Sequence, residues 1–399
     1  MGLDITSLPW IMAWISALTV GLVGVTATYE YYKLKHKPVS RRQFLYKRIT
    51  KAAILIASKD GEQTIRETVA AARKTRCDVY VVSDGSTDNT VKLAKEAGAK
   101  VLGLRKNIGK PSALHRAYKH FKLSDQYTAV AILDDDVIIA KDFIRQTKKA
   151  MGRDVAISVG KNITEWPDSK RWNVWLASRA YSYWSYQLIL RRLQSAYNVM
   201  NCISGSNSLY RTEVLDQVLS ANTPYIVDDT FWTLETHRLN LGEIVYVANA
   251  HAWIQDPTNF RDWYKQNLRW MWGTFQGILG HNIGSEFNKF HMSYVALMLE
   301  WLIYVASGPI VIWMIVRAGL HALPYELVLL CSGYAIWVVG AALALKRPRL
   351  VLFIPAVVVV DFIFRALMVH ALIKAFRQRT VESCVWVSPK RLSADTLAA

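Results

Sequence analysis

Long apolar runs divide this chain, and they limit its fold more than any other feature. LPWIMAWISALTVGLVGVTAT (8–28) contains no charged residue, and roughly 20 such residues in a helix cross a hydrocarbon core. No small-residue cleavage site follows it; the chain continues with the basic segment KLKHKPVSRRQFLYKR (33–48). The run is therefore expected to be a retained anchor with its carboxyl end in the cytosol. Three more runs lie near the end, Met292 to Val316, Leu327 to Leu345 and Leu350 to Ile373, the last two separated by KRPR. Between Thr28 and Met292 no comparable span occurs, and that interval is long enough for a domain with its own core. The expected organisation is an anchor at 1–30, a cytosolic domain at 50–257, an interfacial region at 258–290, about three spans within 291–373 and a tail at 374–399.

The chain has 49 basic and 31 acidic residues, a formal net charge of +18, and is 52% hydrophobic. The positive charge clusters beside the apolar runs, where anionic headgroups attract it. With no nucleic-acid motif in view, lipid and a phosphorylated substrate are the expected partners, and nucleic acid is not. Cys77, Cys202, Cys331 and Cys384 lack metal-ligand or redox spacing, which predicts reduced thiols and no disulfide frame.

The middle region alternates. AAILIAS (52–58), DVYVVSD (78–84), AKVLGL (99–104) and TAVAILD (128–134) read as buried strands, separated by segments with apolar residues at helical spacing. Strand–helix alternation predicts a parallel sheet with helices on both faces, and ligands then bind beyond the carboxyl ends of the strands. Asp60, Asp84 and the triplet Asp134, Asp135 and Asp136 all follow strand ends, so they are expected along one edge.

The triplet lies within AVAILDDDVII (129–139). Three adjacent carboxylates repel one another unless a cation neutralises them, and a hard divalent ion takes a few such oxygens and shares the rest with water and phosphates. Taken alone, the triplet also reads as a solvated acidic turn. If strand alternation continues, Asp134 and Asp136 face one way and Asp135 the other.

VVSDGSTDNT (81–90), NIGKPSAL (107–114), LDDD (133–136), VDDTFWTL (227–234) and QNLRW (266–270) occur in this order. With these motifs the chain resembles the membrane-integrated family 2 glycosyltransferases, the group of cellulose, chitin and hyaluronan synthases, over about residues 50–275. The resemblance implies an α/β fold of the GT-A, Rossmann-like type joined to transmembrane helices in a plasma or inner membrane. It also implies Mg²⁺ or Mn²⁺ as cofactor, a nucleotide-diphosphate sugar as donor, with a UDP-sugar expected, and inversion at the anomeric carbon.

Carried onto this sequence, the resemblance makes Asp84 a contact of the nucleotide base and Lys110 a neighbour of the diphosphate. Asp60 is a further donor contact, at a position where the family more often has asparagine. Asp134 and Asp136 match the outer carboxylates of the metal motif, with Asp136 the principal ligand. Asp229 becomes the general base, which must be ionised as the acceptor oxygen attacks. Val227 and Asp228 replace the family's threonine and glutamate, which puts acceptor placement by Asp228 in question. The pair Asp228–Asp229 also has the character of an acidic helix start. In QNLRW, Gln266 and Arg269 serve the donor, and Trp270 offers the acceptor a flat apolar platform; the same residues equally suit an interfacial helix.

The segment from Arg171 to Tyr197 is aromatic and basic; Arg179, Arg191 and Arg192 place it in the headgroup layer, with a buried aromatic helix as the alternative. GSNSLYR (205–211) resembles a loop and strand near the acceptor, although its residues also suit any turn. His237 and His251 have no second ligand at metal spacing and read as structural. Within the spans, Glu300, Asp361, Arg365 and His370 suggest a polar path, while Asp361 and Arg365, four apart, also make a local pair. The carboxyl-terminal side carries KAFRQR and SPKR, which favour the cytosol although four crossings would place it outside. The expected activity is transfer of sugar to a growing β-linked polysaccharide coupled to translocation, with glycosylation of a membrane lipid as the alternative. Four spans are few for a channel, so a homo-oligomer would then be needed.

Overall fold

The computed structural model describes residues 46–219, 223–319, 321 and 323–382. The expected anchor at 8–28 and the end of the tail, with Cys384, lie outside the described residues.

The first half follows the predicted alternation: β1 (Ala52–Ser58), α1 (Ile65–Arg73), β2 (Asp78–Ser83), α2 (Thr90–Glu96), β3 (Lys100–Gly103), α3 (Lys110–His120), a single turn α4 (Leu123–Gln126) and β4 (Ala129–Asp134). Then come β5 (Val137–Ile139), α5 (Phe143–Ala150), β6 (Val155–Thr164) and α6 (Val174–Tyr186), which runs through a π-turn at Gln187–Arg191 into α7 (Arg192–Tyr197). β7 (Asn207–Arg211), α8 (Thr212–Val218), α9 (Asp228–Arg238), β8 (Glu243–Ile254) and α10 (Phe260–Gly280) complete the domain.

The eight strands form one sheet in the order β3-β2-β1-β4-β7-β6-β8-β5. β1 to β4 are mutually parallel, as expected. Beyond β4 the expectation of a parallel sheet fails: β7 is antiparallel to β4 and β6, β6 runs parallel to β8, and β5 is antiparallel to β8. β4 turns directly into β5 without a crossover helix, and β7, which follows α6 and α7, enters the sheet from the 198–206 loop and runs against both β4 and β6.

Side-chain alternation along the strands builds two cores. Ala53, Leu55, Val82 and Ile132 meet Leu114 of α3, Leu215 of α8 and Trp232 of α9 on one face. Ile54, Ile56, Val81 and Leu133 meet Val69 of α1 and Phe143 of α5 on the other. A strand buried on both sides reads as a near-continuous apolar run, which is why β1, β2 and β4 were visible in the sequence.

Three further helices, α11 (Lys289–Ala318), α12 (Leu323–Ala344) and α13 (Ile354–Arg377), are long and apolar enough to cross a membrane. They join the domain through two of its helices. Leu176, Ala177 and Ala180 of α6 pack on Val338 and Ala341 of α12, while Trp263 and Trp272 of α10 pack on Leu367 and Ala371 of α13.

The Asp361–Arg365 pair forms at 2.9 Å. Tyr304 of α11 and Tyr334 of α12 each donate to the Asp361 carboxylate at 2.7 Å, and Arg365 also donates to Tyr304 O and Ser307 Oγ. These groups satisfy one another across three helices, the arrangement that lowers the cost of ionisable residues in hydrocarbon.

The headgroup placement of the Arg171–Tyr197 segment is corrected. Arg179 is 5% exposed and Arg191 8%; Arg191 lies over the Tyr186 ring and against Met200 Sδ. α6 is a half-buried aromatic helix packed on β6 and on α12 and α13, and Arg179, its one arginine, finds partners inside the protein.

Candidate active site

The carboxyl edge of β1, β2 and β4 carries the site. β2 ends at Ser83, and the Asp84 carboxylate turns inward, accepting from Ile108 N at 2.8 Å and Gly109 N at 2.9 Å. Both bonds hold the loop that precedes α3. Gly109 has φ of +86°, a conformation that glycine adopts without a Cβ penalty, and this brings Lys110 to the helix start. Burial pushes the Asp84 carboxyl up, and the two amides pull it back in part. Asp84, expected to contact a nucleotide base, here fastens the loop that presents Lys110. Asp60 is exposed at the same edge, at φ of +51°, accepting from Thr87 N at 2.8 Å and pairing with Lys59. Asp60 and Asp84 thus belong to adjoining loops.

Lys110 is the hub. Its Nζ donates to Asp134 Oδ1 at 2.6 Å and to Gly205 O at 3.4 Å, and lies 3.8 Å from Asp228 Oδ2. Burial works against its charge, but Asp134 and Asp228 outweigh burial and hold the ammonium above its ordinary value. An ammonium between carboxylates from β4 and α9 joins two parts of the chain far apart in sequence.

Asp135 and Asp136 form a turn between β4 and β5, so strict strand alternation does not extend through them. Asp134 turns to Lys110, and Asp135 turns to Ser58 Oγ at 2.5 Å. Asp136 is 4% exposed, and its charge reaches Tyr183, whose hydroxyl is 3.4 Å from Asp256. As a cation donor set these are hard oxygens of the type magnesium and manganese take. Among the described residues no group of three potential ligands is arranged around a metal. The protein's share fits one or two carboxylates, Asp136 and Asp134, as a diphosphate-bound ion requires.

Asp229 lies in the first turn of α9 and does not cap it: the cap position is Val227, and no side chain caps the helix. The carboxylate reaches across to the 202–205 loop instead, accepting from Gly205 N at 3.0 Å on Oδ2 and from Cys202 Sγ at 3.5 Å on Oδ1. Burial, then the neighbouring Asp228, raises its carboxyl to about 6, against Lys110, the Gly205 amide and Arg269. A group so placed is ionised near neutral pH yet basic enough to accept a proton. Gly205 of GSNSLYR therefore lies beside Asp229.

α10 holds α9 in place. A Cβ on Gly273 would fall 2.4 Å from Val227 Cγ2, and one on Gly277 2.8 Å from Thr230 Cγ2; glycines here allow the close crossing. Gln276 Oε1 accepts from Ile226 N at 2.9 Å. On the same helix Arg269 comes close enough for its charge to act on Asp229. Gln266 is buried and accepts from Arg179 at 2.8 Å, and Trp270 has the Arg179 guanidinium 4.8 Å from its ring centroid.

Of the expected site residues, Lys110, Asp134, Asp228, Asp229 and Arg269 come together. Asp60, Asp84 and Asp136 line the adjoining loops, and Gln266 and Trp270 gather on Arg179. Sequence reasoning missed Cys202, Gly205 as donor to Asp229, Arg179 and Asp256. For Asp256 the one local signal was an acid between a strand and a helix. His237 donates from Nε2 to Met200 O at 2.9 Å and stacks on Phe290.

Comparison with known proteins places this geometry. Residues 53–219 match the model of glycosyl transferase family 2. A poly-beta-1,6-N-acetyl-D-glucosamine synthase from Staphylococcus epidermidis is 23% identical over 306 residues, 73% of this chain and 72% of that protein. Its namesake from Staphylococcus aureus is 26% identical over 63% of this chain and 61% of its own length. In structure the chain is similar to a mannosyltransferase from Pyrobaculum calidifontis solved in complex with GDP-Man and Mn²⁺, with a TM-score of 0.56, 16% identity, and coverage of 92% of this chain and 99% of that one. That likeness is one of fold.

Proposed function

From the premise that the chain is a glycosyltransferase carrying a glycosyl transferase family 2 domain, we propose that it transfers sugar from a nucleotide-diphosphate donor, a UDP-sugar, to a growing β-linked glycan with inversion. The observation that carries the reading is Asp229: a half-buried carboxylate, held by Gly205 N at 3.0 Å and close enough to the Lys110 hub to feel its charge. The names of the staphylococcal relatives make N-acetylglucosamine the first donor sugar to test.

In this mechanism an acceptor hydroxyl attacks the anomeric carbon from the face opposite the diphosphate. Asp229 takes the hydroxyl proton, the new carbon–oxygen bond forms, and the bond to the diphosphate breaks with its electron pair leaving on phosphate oxygen. Lys110 and Arg269 supply positive charge where the leaving group gathers negative charge. Asp84 keeps the 107–109 loop in place, so Lys110 is positioned before substrate arrives. Asp136 and Asp134 would hold a divalent cation, which supplies charge stabilisation of the departing diphosphate. The opposite signs around the acidic triplet fit this arrangement, with carboxylates towards the cation and basic groups around the phosphates.

A lipid acceptor is the second reading. It is favoured by a wholly apolar recess of about 580 Å³ between α6, α10 and α13, lined by Val174, Trp175, Phe260, Pro355, Val359 and Ile363. Purified protein given labelled UDP-N-acetylglucosamine and Mn²⁺ separates the readings by product size, a ladder of oligosaccharides against one lipid-linked sugar. Release of nucleoside diphosphate with neither product would refute both.

A further inference from the structure

One charged group under the α10 motif takes no part in the chemistry above. Arg179, on α6, is 5% exposed. Its Nε lies 3.2 Å from Asp256 Oδ1, a carboxylate whose side chain is 0% exposed. Nη2 donates to Gln266 Oε1 at 2.8 Å and Nη1 to Asn267 Oδ1 at 3.2 Å. The guanidinium plane lies over the Trp270 indole, 4.8 Å from its centroid, and 5.3 Å from the Tyr183 centroid. Tyr183 in turn reaches Asp256 at 3.4 Å.

A guanidinium presents donors in a rigid planar fork and stacks on aromatic faces, and a lysine ammonium does neither. Arg179 uses both properties at once: the fork grips two amides on neighbouring positions of α10 while the plane covers one face of the indole one turn away. α6 itself packs on β6 and on α12, so the grip ties the α10 motif to both.

We infer that Arg179 is a positioning residue for the acceptor: by holding Gln266 and covering one face of Trp270, it leaves the indole's other face as the platform on which the acceptor sugar stacks. This rests on the functional reading above. Sugar stacking on an aromatic ring tolerates little displacement, and a misplacement of about 1 Å costs on the order of 100-fold in rate. Arg179 contacts Gln266, Asn267, Trp270 and Asp256, whereas Lys110, which the mechanism assigns to the donor's diphosphate, contacts Asp134, Asp228 and Gly205, so a split between acceptor and donor KM reports which substrate Arg179 serves.

The test uses the full chain with UDP-N-acetylglucosamine as donor and a β-1,6-linked N-acetylglucosamine tetramer as acceptor. Arg179→Lys keeps the charge opposite Asp256 and loses the fork. The double variant Arg179→Met/Asp256→Asn removes both buried charges together, which folded proteins tolerate better than loss of one partner. Both variants are expected to raise the acceptor KM by about tenfold or more and to lower kcat by on the order of 100-fold, with donor KM and UDP affinity within about twofold of the wild type. A purely structural residue would shift the melting temperature and both KM values together. Unchanged acceptor KM in either folded variant, beside an active wild type, overturns the role of Arg179 and leaves the functional reading standing. A wild type that transfers no sugar overturns the functional reading and this inference with it.

Discussion

Exchange of Asp229 for Asn separates a catalytic carboxylate from a structural one, because the two roles predict opposite changes in stability. Asp229 is half-buried beside the buried Asp228, and its carboxyl is raised from 3.8 to about 6. For an acid whose folded value lies above its unfolded one, ionisation opposes folding. The folded state therefore loses stability as pH rises from about 4 to about 6 and carries the full penalty at pH 7. The gap between 3.8 and about 6 corresponds to about 3 kcal/mol at about 1.4 kcal/mol per pH unit. An amide in the same place keeps an acceptor for Gly205 N and pays no such penalty. Asp229→Asn is thus expected to be more stable than wild type at pH 7, by up to about 3 kcal/mol, and equal to it near pH 4. It should also lose transfer by about 10²–10⁴-fold. Denaturant melts at the two pH values, run beside a transfer assay, measure both effects. A variant less stable than wild type at pH 7, or one that still transfers sugar, refutes the assignment of Asp229 as base.

The same carboxyl sets an acidic limb in the wild type, where kcat/KM should fall about tenfold per pH unit below about 6; a flat profile down to pH 4.5 contradicts it. Lys110→Met leaves Asp134 and Asp228 without the ammonium 2.6 and 3.8 Å away. It should cost about 1–3 kcal/mol of stability and weaken nucleotide-diphosphate binding, read by calorimetry. Gly205→Ala would place a Cβ 3.0 Å from Asp229 Oδ2, so the base is displaced: transfer drops by at least about tenfold while nucleotide binding, by the same calorimetry, holds. Removing divalent cations with a chelator should stop release of nucleoside diphosphate, and added Mn²⁺ or Mg²⁺ should restore it; undiminished release would reject Asp134 and Asp136 as a cation site.

Parts of this site were legible because their signals are local. β1, β2 and β4 are buried on both faces, so each appears as an unbroken apolar run, and the acids that follow them fall on one edge by topology alone. Asp229 and Lys110 were singled out through short motifs, and the structure adds that the charge of Lys110 acts on Asp229. The second half of the sheet was less legible: β6 and β8 pair in parallel with register shifts, and nothing in VAISVGKNIT fixes an antiparallel β7 as its neighbour. Arg179 was misplaced for a physical reason. A positive charge among aromatics beside apolar runs suits a headgroup layer, and the carboxylate that permits its burial, Asp256, lies far along the chain after β8. Long-range pairing of this kind leaves no periodicity to read. The Asp84 carboxylate shows the same limit, since its partners are backbone amides of a loop that any sequence could supply.

The role of Asp229 as acceptor of the hydroxyl proton is tested most directly by incorporation of labelled sugar by the full chain in lipid nanodiscs, from UDP-N-acetylglucosamine with Mn²⁺, for wild type and Asp229→Asn side by side. Wild type should place label in glycan product and release an equal amount of UDP, and the variant should bind UDP without incorporation. Equal incorporation by the two proteins would contradict it.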